Sequence, residues 1–71
     1  MKYAQFFRTP DAEALGSDGV FIMDGRWKLA RMHAAASAHA RKRGYVAYQL
    51  RTGPRFTESR PISPIVEVKD E

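Results

Sequence analysis

His33 and His39 are the only imidazoles in this chain of 71 residues, and there is no cysteine beside them. Metal or acid–base chemistry would have to start from these two rings. Six residues apart on a helix, they point about 120° away from each other. A single metal needs its two helical histidines at i and i+4, so the spacing does not predict a shared metal site. It predicts one ring on a helix flank and the other in solvent. Ser37 and His39 diverge on a helix as well, which removes the nearest pairing of a hydroxyl with a base. The carboxylates fall in turn-rich stretches and at the two ends, with no serine or histidine at catalytic spacing. Gly16, Gly19 and Gly25 fit neither the dinucleotide fingerprint nor the phosphate-loop pattern. A chain this short also has little room for a water-excluding pocket. The expectation is a protein that binds rather than catalyses, with no cofactor and no metal.

The residues suited to binding are cationic. The chain has 12 Lys and Arg against 8 Asp and Glu, a formal charge of +4, distributed unevenly. Residues 1–25 sum to −2 and residues 61–71 to −2, while residues 26–60 carry +8 with Glu58 as their one acid. Gathered on one side of a fold, such charge attracts a polyanion or an acidic protein surface. Solubility alone is the competing reading. Lys28, Arg31 and Lys42 share a sector of a helix, with Ala35 and Ala38 between them, so a partner could approach the backbone closely. Arg43-Gly44-Tyr45 opens like the RNA-recognition signature, but Val46 and Ala47 then depart from it. Tyr45, flanked by Arg43 and Arg51, is suited to stack on a base or to fill a protein pocket. Arg51-Thr52-Gly53-Pro54-Arg55-Phe56 sets two guanidiniums and an aromatic ring around a rigid turn. Arginine suits bidentate contact with phosphate or carboxylate, and phenylalanine suits an anchoring pocket. The candidate binding residues are therefore Lys28, Arg31, Lys42, Arg43, Tyr45, Arg51, Arg55 and Phe56.

These residues need elements to hold them. Residues 3–8 read as a first strand, and Thr9-Pro10-Asp11 offers an N-cap and a first-turn proline for a helical turn through residue 15. Gly16-Ser17-Asp18-Gly19 is turn chemistry, and residues 20–23 form a second strand. From about residue 26 to 43 the alanine-rich run predicts a helix, with Asp24 as N-cap, Arg41-Lys42-Arg43 complementing the dipole and Gly44 as the left-handed stop. Its core sector holds Leu29, Met32, Ala36 and Ala40. Residues 45–50 form a third strand, broken at Thr52-Gly53-Pro54. Residues 62–68 form a last strand that Pro61 and Pro64 confine to an edge or a bulge. The order β-β-α-β-β predicts one α+β domain over residues 1–71, a small antiparallel or mixed sheet with one long helix on one face.

Ten of the hydrophobic residues are alanine, and setting these and Met1 aside leaves twenty large apolar side chains, enough for one layer between helix and sheet. The strands nevertheless look apolar on both faces. Alternation in the third strand assigns Val46, Tyr48 and Leu50 to the core and leaves Tyr45 on the far side. That far side is expected to meet a second copy or a partner, or to be covered by a fold-back of residues 9–18. No run approaches the roughly 20 apolar residues of a membrane span, and no signal-peptide core follows Met1. With the absence of cysteine, this predicts a cytoplasmic protein.

In size, in lack of cysteine and in its plan of a few strands around one alanine-rich helix over residues 27–43, the chain resembles small accessory proteins of phages and prophages, including anti-CRISPR inhibitors. That resemblance implies a non-catalytic inhibitor or modulator that binds a host protein or nucleoprotein complex. Many such inhibitors are acidic mimics of nucleic acid, whereas this chain is basic. Direct binding of DNA or RNA and a homodimeric structural role are the alternative readings.

Overall fold

The first strand expected from the sequence becomes an inner strand of an antiparallel sheet. The computed structural model describes residues 1–8 and 19–68. The helical turn expected over 9–15, the turn residues 16–18 and the fold-back of 9–18 lie outside the described residues. β1 (Lys2–Phe7) pairs with β2 (Gly19–Met23) on one side and with β3 (Ala47–Thr52) on the other. α1 (Leu29–Arg43) joins β2 to β3. Two short strands, β4 (Arg60–Pro61) and β5 (Val66–Glu67), both pair with the remaining side of β3. The result is the expected small α+β fold, with every pairing antiparallel.

The last strand is split rather than continuous over 62–68. Between its halves the Ser63 hydroxyl, not a backbone carbonyl, accepts the Leu50 N–H at 3.0 Å, and the Ser63 carbonyl accepts from Gln49 Nε2 at 3.2 Å. Pro64 has no N–H to continue the ladder. Between β3 and β4, Phe56–Glu58 form a single 3-10 turn.

α1 begins three residues later than its composition suggests, because Asp24 is occupied. Its Oδ1 accepts the Arg26 N–H at 2.8 Å and its carbonyl accepts the Trp27 N–H at 3.1 Å, closing a turn ahead of the helix. Lys28 takes the N-cap position with no side-chain cap, so Asp24 is not the cap. The other end follows expectation: Gly44 is left-handed (φ 79°) and the Tyr45 N–H bonds to the Ala40 carbonyl at 2.9 Å.

Met32, Ala36 and Ala40 face Ala4, Phe6, Met23, Tyr48 and Leu50, and together these form the buried core. Each large side chain among them contributes about 1.5–3 kcal/mol by leaving water. Leu29 does not join them and remains 49% exposed. Helical side chains lean toward the N-terminus, so a residue at the first helical position leans past the end of its own helix. The second face of the sheet is less open than the strand pattern implies. Tyr3, Phe7 and Ala47 lie on it and are buried. Phe56 meets the Tyr3 ring edge-on at 5.8 Å, so the 3-10 turn lies against that face. Among the described residues, Val20 and Ile22 of β2 are exposed apolar side chains on this face, as is Met1 beside Tyr3.

Candidate functional site

The strongest concentration of unpaired charge runs along α1. Its fifteen residues include Arg31, Arg41, Lys42 and Arg43 and no acid. Lys28, Arg31, Ala35, Ala38 and Lys42 recur at spacings of three and four, which aligns them in one stripe about 21 Å long. Lys28, Arg31, Ala38, Lys42 and Arg43 are exposed, and among the described residues no carboxylate pairs with any of these cations. The alanines between the charges keep the stripe smooth, so a partner can reach within contact distance of the helix backbone.

At its N-terminal end the stripe meets an aromatic residue missing from the candidates drawn from sequence. The Arg31 guanidinium lies over the Trp27 indole, 4.4 Å from the ring centroid. This stacking fixes the guanidinium plane while leaving its N–H edge available. Lys2 Nζ donates to the Trp27 carbonyl at 2.8 Å, and Arg26 holds Asp24 through Nε–Oδ1 (3.2 Å) and Nη2–Oδ2 (3.0 Å). The Arg26 side chain, and after it the Arg26 N–H, hold the Asp24 carboxyl below its ordinary pKa. Asp24, Arg26, Trp27, Lys28 and Arg31 line an open cavity of about 400 Å³. The i, i+4 spacing of Trp27 and Arg31 was a legible signal for this pair.

Cations at the start of a helix oppose its dipole, at a cost of about 0.3–1 kcal/mol. α1 has no acid in its first turn and no capping side chain. Lys28→Asp should therefore raise stability by about 1 kcal/mol in chemical denaturation, since Lys28 already has the extended backbone of a cap. The same change removes a cation from the stripe, so binding and stability are expected to move in opposite directions. A substitution that improves both would show that Lys28 has no part in binding.

The remaining candidates lie elsewhere. Tyr45 is not on the far sheet face. The left-handed Gly44 turn delays β3 until Ala47, and the Tyr45 ring stacks on Phe6 at 5.0 Å and 15° on the helix side of the sheet. Arg8 lies 5.3 Å from the Tyr45 ring centroid. Val46, assigned to the core from alternation, is 37% exposed for the same reason. Arg51 spends its donors internally: Nε on the Ser59 hydroxyl and Nη2 on the Ser59 carbonyl, both at 2.8 Å, with Nη1 on Gln49 at 3.4 Å. Phe56 is half-buried against Tyr3. Arg51 and Phe56 thus hold the loop to the sheet on the face opposite α1, and of that group Arg55 alone is an exposed cation. The structure keeps Lys28, Arg31, Lys42 and Arg43 together on one helix and separates them from Arg51 and Phe56.

Neither histidine stands in solvent. His33 Nδ1 and the Tyr48 hydroxyl share a hydrogen bond of 2.7 Å. His39 lies 4.9 Å from both Phe6 and Phe21, ring to ring, and beside Tyr45. Burial lowers the His39 pKa, and the Arg43 and Lys42 charges lower it further. The folded state therefore resists protonation more than the unfolded one. Stability from this residue is complete above the unfolded value of about 6.5 and is lost as pH falls through that value toward the lower folded one. Melting temperature should drop between pH 7 and 5, and His39→Phe should flatten that part of the profile; an unchanged slope would rule out His39 as its source.

No protein-family model, curated protein or solved structure matches this chain. No helix among the described residues is long and apolar enough to cross a membrane.

Proposed function

We propose that this protein is a non-enzymatic binder that lays the α1 stripe against the phosphate backbone of a host nucleoprotein complex, and so acts as an inhibitor or modulator of the phage type. One observation carries the reading: an exposed, alanine-smoothed helix face with Lys28, Arg31, Lys42 and Arg43 and no acid along it. A helix with small side chains is about 10–12 Å across and fits a major groove of similar width. Phosphate contacts of this kind position a protein without reading sequence, so affinity should be broad across sequences and steeply salt-dependent. Free DNA or RNA is the simplest ligand with that chemistry. Titration of labelled duplex DNA and RNA across a salt series is the direct test. A linear fall of log affinity with log salt is the expected result, and absence of binding at low salt would remove the phosphate reading.

A second reading, attachment to an acidic protein surface, is favoured by the Trp27–Arg31 pair, since tryptophan and arginine are the common anchors of protein interfaces. Capture from host lysate with and without nuclease separates the two. A partner lost on nuclease treatment supports phosphate, and one retained supports protein.

A further inference from the structure

Among the described residues β2 has β1 as its one sheet partner, and none of them pairs with its other edge. The registers identify the backbone groups on that edge. The Gly53 N–H bonds to the Met1 carbonyl at 3.0 Å, in register with the β1–β3 ladder. Odd-numbered residues of β1 therefore bond to β3, and even-numbered ones bond to β2. Lys2 lies opposite Met23, Ala4 opposite Phe21 and Phe6 opposite Gly19. The peptide groups of 19, 21 and 23 thus face β1, and those of Val20 and Ile22 point outward. Among the described residues nothing bonds to these outward groups. The same two residues carry exposed β-branched side chains, Val20 at 43% and Ile22 at 59%. Edge strands are ordinarily protected by charge, proline or a bulge, and β2 has none of these.

We propose that β2 pairs antiparallel with β2 of a second copy, about a two-fold axis at Phe21. Val20 then lies opposite Ile22 of the partner subunit, and the two copies exchange four N–H···O=C bonds. The four β-branched side chains meet on the face away from the helices. Charge selects this occupant over the ligand of α1: residues 19–23 are neutral in a chain of net charge +4, so the edge offers nothing to a polyanion or an acidic peptide. An identical neutral strand satisfies every outward group. The domain measures 30 × 25 × 18 Å, so contact along five residues buries on the order of 600–900 Å² in all, below the roughly 1,200–2,000 Å² of tightly held dimers. The dimer is accordingly a weak one in exchange with monomer. It sets both α1 stripes on the same side of one continuous sheet.

Sedimentation velocity without nucleic acid tests this independently of the function proposed above. The weight-average mass should climb from 8.1 kDa toward twice that value between about 10 µM and 1 mM. Ile22→Lys should hold the protein monomeric throughout, with an unchanged circular dichroism spectrum because the side chain is exposed. Register is read by disulfide trapping, which the absence of native cysteine makes clean. Val20→Cys mixed with Ile22→Cys should cross-link at the Cα spacing of about 5.5 Å expected for a hydrogen-bonded pair, faster than either variant alone. A mass fixed at 8.1 kDa across the range, or self-linking as fast as cross-linking, would overturn the pairing.

Discussion

Reversing charge at both ends of the α1 stripe, Arg31→Glu with Lys42→Glu, is expected to weaken binding to duplex nucleic acid by about a hundredfold or more at moderate salt. The slope of log affinity against log salt should also become shallower by about two, one unit for each phosphate contact removed. Both residues are exposed, and Arg31 contributes to packing through its position over Trp27 alone. The paired variant should therefore retain its fold, as judged by circular dichroism. Arg55→Glu is the matched control: an exposed cation outside α1 that tests whether total charge, rather than the stripe, governs affinity. Equal losses from Arg55→Glu and from either single α1 reversal would reduce the stripe to general basicity. Arg51→Glu is a poorer probe, because it breaks the bonds to Ser59 and loosens the loop that covers Tyr3.

The largest effect on stability should come from Phe6→Ala. Phe6 has no exposed surface, and its ring lies 4.9 Å from His39 and 5.0 Å from Tyr45. Truncating such a side chain costs about 3–5 kcal/mol, from lost transfer energy and the cavity left behind. A domain of this size has about 4–10 kcal/mol in total, so the variant should be largely unfolded or close to it at 37 °C. Phe56→Ala removes the same atoms from a half-buried site and should cost a good deal less. The difference in denaturation midpoint checks this. A smaller loss at Phe6 than at Phe56 would mean that the far face, not the helix-facing layer, is the principal core.

Much of the architecture is local and was readable for that reason. Alanine density and an uninterrupted run define α1, and Gly44 stops it because glycine adopts a left-handed backbone without steric cost. A short aromatic-rich run marks β1, and a β-branched and aromatic run between Gly19 and Gly25 marks β2. The basic helix sector was also visible, since the angular positions of Lys28, Arg31 and Lys42 follow from helix geometry alone.

Other assignments depended on contacts between residues distant in sequence. Strand alternation misplaced Tyr45 because it assumed a strand beginning at 45, whereas the Gly44 turn delays pairing until Ala47 and rotates Tyr45 onto Phe6. Arg51 and Arg55 look equivalent in sequence, yet Ser59 engages the guanidinium of Arg51 and leaves Arg55 in solvent. Ser63 splits the final strand through a side-chain bond to Leu50 that no local propensity encodes.

Periodicity and composition were thus sufficient for the elements and for the net basic middle of the chain, because both arise from neighbours along the backbone. Which cations face solvent together, which are consumed by packing, and which sheet edge the described residues leave unpaired were settled by tertiary structure. Those outcomes depend on the competition among distant groups for the same hydrogen bonds and the same buried space.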